Sequence, residues 1–300
     1  MHGITLTDAY ILHRPAQQSC PFVFSSPHSG RDYPPDFLSE SALDSHAIRS
    51  SEDAFIDQIF GAAPDLGAPL LAARAPRAFI DLNRGPDELD PAVIEGVERP
   101  SHNPRISSGL GVIPRVVSGG RHIYRGKMAR DLAEARLLSW WHPWHGELRD
   151  LVDSTHRDFG ETVLIDCHSM PHEAIEIQSR AGQPKPQIVL GDRFGASASR
   201  DVVDRIATAF EAAGLRVSRN MPFAGAYITQ AYGRPSRNIH AVQIEIDRQL
   251  YMDEAMIEPH DGFADFKRLI SDVMAEITGA APAVRQGLAG KLPVPPLAAE

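Results

Sequence analysis

Two histidines lie just beyond apolar, β-branched runs of this sequence. His28 sits in Ser-Pro-His-Ser-Gly after PFVFS, and His168 in Asp-Cys-His-Ser after TVLID. A catalytic zinc centre takes three protein ligands of histidine or carboxylate type and leaves one position for water. Either histidine alone could equally be a strand-end residue hydrogen-bonded to backbone, but the parallel placement of the two favours ligation. A third ligand is offered by Ser51-Glu52-Asp53. Glu52 and Asp53 both carry the right atom, and both also suit the start of a helix over Ala54 to Phe60 as capping and dipole partners. Glu245 lies between Ile244 and Ile246 in an apolar strand, where a carboxylate is costly unless paired, ligated or functional. It is either a general acid/base or the ion-pair partner of an arginine such as Arg248. Arg77, Asp81, Asn83 and Arg84 cluster on one short run. Arginine grips carboxylates in bidentate fashion, so an acidic substrate fits, although Asp81 and the arginines could also neutralise one another.

Other candidates carry less. His102, His122, His142, His145 and His172 remain, and the His142-Pro-Trp-His145 pair reads as the packing of a helix junction. Cys167, at a strand end beside His168, reads as a packed thiol rather than a nucleophile. CxxC, HExxH, GxSxG and P-loop patterns are absent from the sequence. The glycine loops Gly109-Leu-Gly111 and Ser118-Gly119-Gly120 do not follow strands in the dinucleotide-binding manner.

The elements that must position these residues are strands and helices in alternation. Strands are expected at Pro21–Ser25, Ala78–Leu82, Thr162–Asp166, Gln187–Leu190 and Ala241–Ile246. In the last, Val242, Ile244 and Ile246 face one way, and Gln243, Glu245 and Asp247 the other. Helices are expected at Met128–Trp141, with Leu132, Ala135, Leu138 and Trp141 along one side, and at Trp144–Phe159, with Pro143 in its first turn. Two more are expected at Ser197–Ala213 and Gly262–Thr278, each followed by a glycine in the C′ position. The pattern reads as an α/β three-layer sandwich with a mixed, mostly parallel sheet. Its active site then lies outside the carboxyl ends of the strands. No internal repeat or long linker divides residues 1–279, and an Ala/Pro-rich tail fills 280–300.

Composition bounds the function. The 300 residues carry a formal net charge of −9, with 43% hydrophobic and 23% charged residues. An acidic balance argues against nucleic acid as a partner. Neither a membrane span nor a signal-peptide pattern is present, and two cysteines provide no disulfide framework, so a cytoplasmic setting is expected.

Read together, SPHSGRDYPPDF (26–37), SEDAFIDQIF (51–60), RAFIDLNRGPDELDP (77–91), GLGVIPR (109–115), VLIDCHSMP (163–171), VLGDRFG (189–195), NMPFAGAYITQAYGRP (220–235) and HAVQIEIDRQLYMDE (240–254) resemble the N-formylglutamate amidohydrolase family. The resemblance implies a fold similar to zinc exopeptidases and one Zn2+ per chain, held by His28, Asp53 and His168, with Glu52 as a substitute for Asp53. It implies Glu245 as general acid/base, Asn83 and Arg84 on the substrate's α-carboxylate, and Arg77 on a second carboxylate or the oxyanion. Tyr227 and Tyr251 are weaker substrate contacts. The implied reaction is hydrolysis of a small acidic N-acyl amino acid, by default N-formyl-L-glutamate to formate and L-glutamate in histidine degradation. One departure stands out: where members best matched to histidine degradation carry Asp-Thr-Asp-Trp-His, this chain has Ser51-Glu52-Asp53-Ala54-Phe55.

Overall fold

The β-branched runs do pair into a sheet. The computed structural model describes residues 3–98, 103–178 and 185–280. Among them, β1 (Gly3–Leu6), β2 (Tyr10–Arg14), β3 (Phe22–Ser26), β4 (Leu70–Ala73), β5 (Thr162–Met170), β6 (Ile188–Gly191), β7 (Val217–Arg219) and β8 (Ile239–Asp247) form one sheet. Its order is β1-β2-β4-β3-β5-β8-β6-β7. The four central strands β4, β3, β5 and β8 are mutually parallel, β2 and β1 add antiparallel at one edge, and β6 is antiparallel to β8. The sheet is therefore mixed and mostly parallel, as the sequence pattern predicts.

Side-chain alternation splits the core into two layers. Phe22, Phe24, Val163, Ile165, Cys167, Val242, Ile244 and Ile246 pack on one face, against the helices Arg200–Ala212 and Phe263–Thr278. Val23, Leu164 and Ala241 pack on the other, against Trp141, Trp144, Leu148 and Leu151. On this second face the strands change character along their length. Val23 gives way to Ser25, Leu164 to Asp166 and His168, and Ala241 to Gln243 and Glu245. The half of that face nearest the carboxyl ends is polar, and all of these polar side chains are buried.

Four local expectations are corrected. Ala78–Leu82 is not a strand: Phe79 and Ile80 donate their N–H groups to the Pro76 carbonyl, and Asp81 donates to Val112, so the run is a buried coil. Its apolar residues are core, but the turn on Pro76 removes it from any ladder. β5 continues through Met170, which puts His168 inside the strand rather than beyond it. The helices Arg130–Arg136 and His142–Phe159 join through a π-helical turn, Leu137–Trp141. The His142 N–H bonds Leu137 five residues back, at the point where Pro143 has no N–H to continue the regular ladder. The buried stripe there is Ala133, Leu137 and Trp141, at i, i+4 spacing, while Leu132 and Leu138 are 55% and 67% exposed. Finally, β1, β2, β4 and β7 were not expected; Leu-Leu-Ala-Ala in β4 has little β-propensity and becomes a strand through its neighbours.

Gly214 and Gly279 follow their helices with positive φ, as expected. No described helix is long and apolar enough to cross a membrane. Of the Ala/Pro-rich tail, residues 281–300 lie outside the described residues.

Candidate active site

The polar half of the second sheet face gathers the predicted ligands. Nδ1 of His168 lies 2.9 Å from Oδ2 of Asp53, and Nδ1 of His28 lies 3.3 Å from the same oxygen. One ligand atom from each of His28, Asp53 and His168 falls within 4.8 Å of the others, and all three residues are buried. Each segment is held for a reason. His28 follows β3 in a turn that packs Gly30 against the Ala75 backbone so closely that a Cβ there would collide with the Ala75 carbonyl. Close approach, not a positive φ, requires that glycine. Asp53 is fixed by its backbone N–H, which donates to the His28 carbonyl at 3.0 Å.

The outer nitrogens of both histidines are engaged by carboxylates. Nε2 of His28 is 2.7 Å from Asp81, and Nε2 of His168 is 2.9 Å from Asp166. A carboxylate on Nε2 favours the N–H there and turns Nδ1, the atom a metal would take, toward Asp53. Nδ1 of His28 is buried and has no hydrogen-bond partner. A buried polar atom left in this way fits a divalent cation, as does a donor set of two imidazoles and one carboxylate.

Electrostatics agree with a cation site. Burial alone would raise Asp53, but the hydrogen bond from His168, with the charge of His28 and His168 beside it, holds it well below the usual carboxylate range. Burial favours a neutral His168, yet Asp166 and Asp53 lift it well above the ordinary imidazole value. Burial also works to raise Asp81, and Arg84, His28 and Arg77 overcome it. Glu245 goes the other way: burial, with Asp53 and Asp166 adding, pushes it up to about 7 against the pull of His168 and Arg77. Gln243 donates to its Oε1 at 2.7 Å.

These residues open onto a cleft of about 550 Å3, into which Arg77, Asn83, Arg84 and Glu245 also reach. Arg77 donates Nε to Asp81 at 3.1 Å. Asn83 is committed on both sides, giving Nδ2 to Asp166 at 3.0 Å and accepting the Ile228 N–H at 2.8 Å. Arg84 donates to the Leu110 and Asn83 carbonyls. Arg248 pairs with Asp53 at 3.0 Å and also donates to Ser169, so the suggested Arg248–Glu245 ion pair does not form.

Other candidates fall outside the cleft. Glu52 turns away to Tyr33 and Arg49. Tyr227 packs tilted on Trp141 and edge-on to His145, at 5.8 and 5.4 Å between ring centroids, and Tyr251 is fully buried in the core. Cys167 points into the opposite core layer, where burial and Asp166 raise its thiol well above the usual range. His145 bonds Leu82 and Tyr232 at the helix junction. Ala54 is core and Phe55 packs on Phe263, so the departure at these two positions lies away from the cleft lining. Sequence reasoning missed Asp166, Gln243 and Arg105 as site residues. Asp166 and Gln243 were legible, since each stands two positions before His168 or Glu245 on the same strand face.

Comparison with known proteins fits this geometry. The family model for N-formylglutamate amidohydrolase matches residues 20–252. The chain is 30% identical over 241 residues to the N-formylglutamate deformylase of Pseudomonas putida, covering 79% of this chain and 84% of that protein. It resembles the crystal structure of N-formylglutamate amidohydrolase from Ralstonia eutropha JMP134 with a TM-score of 0.85 at 32% identity, covering 94% of this chain and 100% of that one. A gene product of Agrobacterium tumefaciens shares the fold at a TM-score of 0.61 and 16% identity. With the family model spanning all the gathered site residues, this chain belongs to the N-formylglutamate amidohydrolase family.

Proposed function

We propose that the chain is a zinc-dependent amidohydrolase that cleaves N-formyl-L-glutamate to formate and L-glutamate. The observation that carries the reading is the buried, partnerless Nδ1 of His28, facing Asp53 and His168 beside a carboxylate raised to about 7. His28, Asp53 and His168 would hold the ion. When bound, zinc supplies a water of lowered pKa and polarises the acyl carbonyl.

The remaining work belongs to side chains. Glu245 takes the proton from the attacking water and delivers it to the amide nitrogen as the C–N bond breaks, so L-glutamate leaves as the amine and formate keeps the oxygen. A carboxylate with a pKa near the working pH suits both halves of that transfer. Arg77 is held by Asp81 through Nε alone; its other nitrogens serve the oxyanion. Arg84 binds the α-carboxylate. Asn83 acts chiefly by positioning, since its amide already spans Asp166 and Ile228.

The test is a panel of N-acyl amino acids hydrolysed by protein of defined zinc content. Chelator-sensitive release of formate from N-formyl-L-glutamate is the expected result. Turnover of other acyl amino acids but not this one would move the substrate while leaving the metal centre in place.

A further inference from the structure

The cleft holds more positive charge than its carboxylates answer. Arg77, Arg84, Arg105 and Arg248 line it, against Asp53, Asp81 and Glu245. Arg248 is used on Asp53, Ser169 and the Ser50 carbonyl. Arg77 and Arg84 share Asp81, at 3.1 and 4.0 Å. Among the described residues the Arg105 guanidinium has no ion pair and no hydrogen bond, and it is only partly exposed. Glu88, the carboxylate on the neighbouring loop, is engaged by the Gly85 N–H and by Asn103.

Resting on the proposed function, we infer that Arg105 is the specificity-determining residue for the second carboxylate of the substrate, the one on the amino-acid side chain. Two loops joined by one residue set the geometry. Leu110 gives its N–H to the Arg105 carbonyl at 2.8 Å and takes the Arg84 Nε on its own carbonyl at 2.9 Å. Asn103 caps the Pro104–Ser107 turn through the Arg105 N–H and reaches back to Glu88, so the Arg105 loop is tied to the Arg84 loop at a second point. The two guanidiniums feel one another: burial lowers the pKa of Arg84, Asp81 opposes, and Arg77 and Arg105 add to the lowering. Like charges that share too few counter-ions are relieved by an incoming anion. A dicarboxylate bridging Arg84 and Arg105 answers both charges, while an amide in place of the distal carboxylate leaves the partly buried Arg105 uncompensated.

The experiment compares kcat/KM on N-formyl-L-glutamate and its neutral isostere N-formyl-L-glutamine, for wild type, Arg105→Gln and Arg105→Lys, with melting curves to confirm folding. Wild type should prefer the glutamate substrate. Arg105→Gln should lose about 30-fold on glutamate and little on glutamine, with Arg105→Lys between them, as expected for one charge-assisted contact. A preference that survives in Arg105→Gln, or an equal loss on both substrates, overturns the assignment of Arg105 alone. Should folded, zinc-loaded wild type cleave neither substrate, the functional reading fails and this inference with it. Neither result can be taken for the other, because the first requires an active wild type.

Discussion

His168 and Glu245 stand opposite one another in register on the adjacent parallel strands β5 and β8, with Asp166 opposite Gln243 one step earlier. A proposed ligand and the proposed acid/base are thus fixed on one rung of two adjacent central strands. Glu245→Gln, which keeps the shape of the side chain, should lower kcat by about a hundred- to ten-thousand-fold while zinc content stays at wild-type level. Loss of the metal together with activity would instead make Glu245 part of the metal-holding framework.

The pH dependence follows from the same carboxylate. Glu245 must be ionised to accept a proton, and its pKa is pushed up to about 7 by burial. Activity therefore falls as pH drops through that value. A divalent cation nearby favours the ionised form, so the acid limb of kcat/KM should lie at or below about 7 in the zinc enzyme. An unchanged acid limb in Glu245→Gln, measured on its residual activity, would assign the limb to another group.

Asp81 offers a test of how the metal site is oriented. It accepts from His28, Arg77 and the Asn83 N–H at once. Asp81→Asn should weaken zinc affinity by about 10- to 100-fold, since His28 loses the carboxylate that fixes its tautomer. Competition with a chelator reads this directly, and wild-type affinity would remove Asp81 from that role.

Much of this site was legible before folding. His28, His168 and Glu245 announced themselves as polar residues at the ends of or inside apolar runs, where burial must be compensated. The choice of Asp53 over Glu52 was not legible, because adjacent carboxylates at a helix start look alike until backbone direction sends one inward and the other to Tyr33. Arg105 was invisible for a different reason: its relation to Arg84 is made by Leu110, across a loop that carries no periodicity. The apolar face of β8 was read correctly from period two. Ala78–Leu82 was misread because burial on all sides gives a coil the same composition as a strand.

Cys167 shares the strand with His168 yet points to the other core layer. Cys167→Ala should leave kcat/KM unchanged and cost about 1 kcal/mol of stability through the small cavity it opens. A large loss of activity in a stably folded Cys167→Ala would return the thiol to the list of reacting groups.

The central claim is that a metal held by His28, Asp53 and His168 drives amide hydrolysis. Formate release from N-formyl-L-glutamate should be measured alongside bound zinc in wild type and His168→Ala, each with and without chelator. The account predicts one zinc per active wild-type chain, formate release abolished by chelation and restored by zinc, and neither zinc nor turnover in His168→Ala. Full turnover by chelated wild type, or by zinc-free His168→Ala, would contradict it.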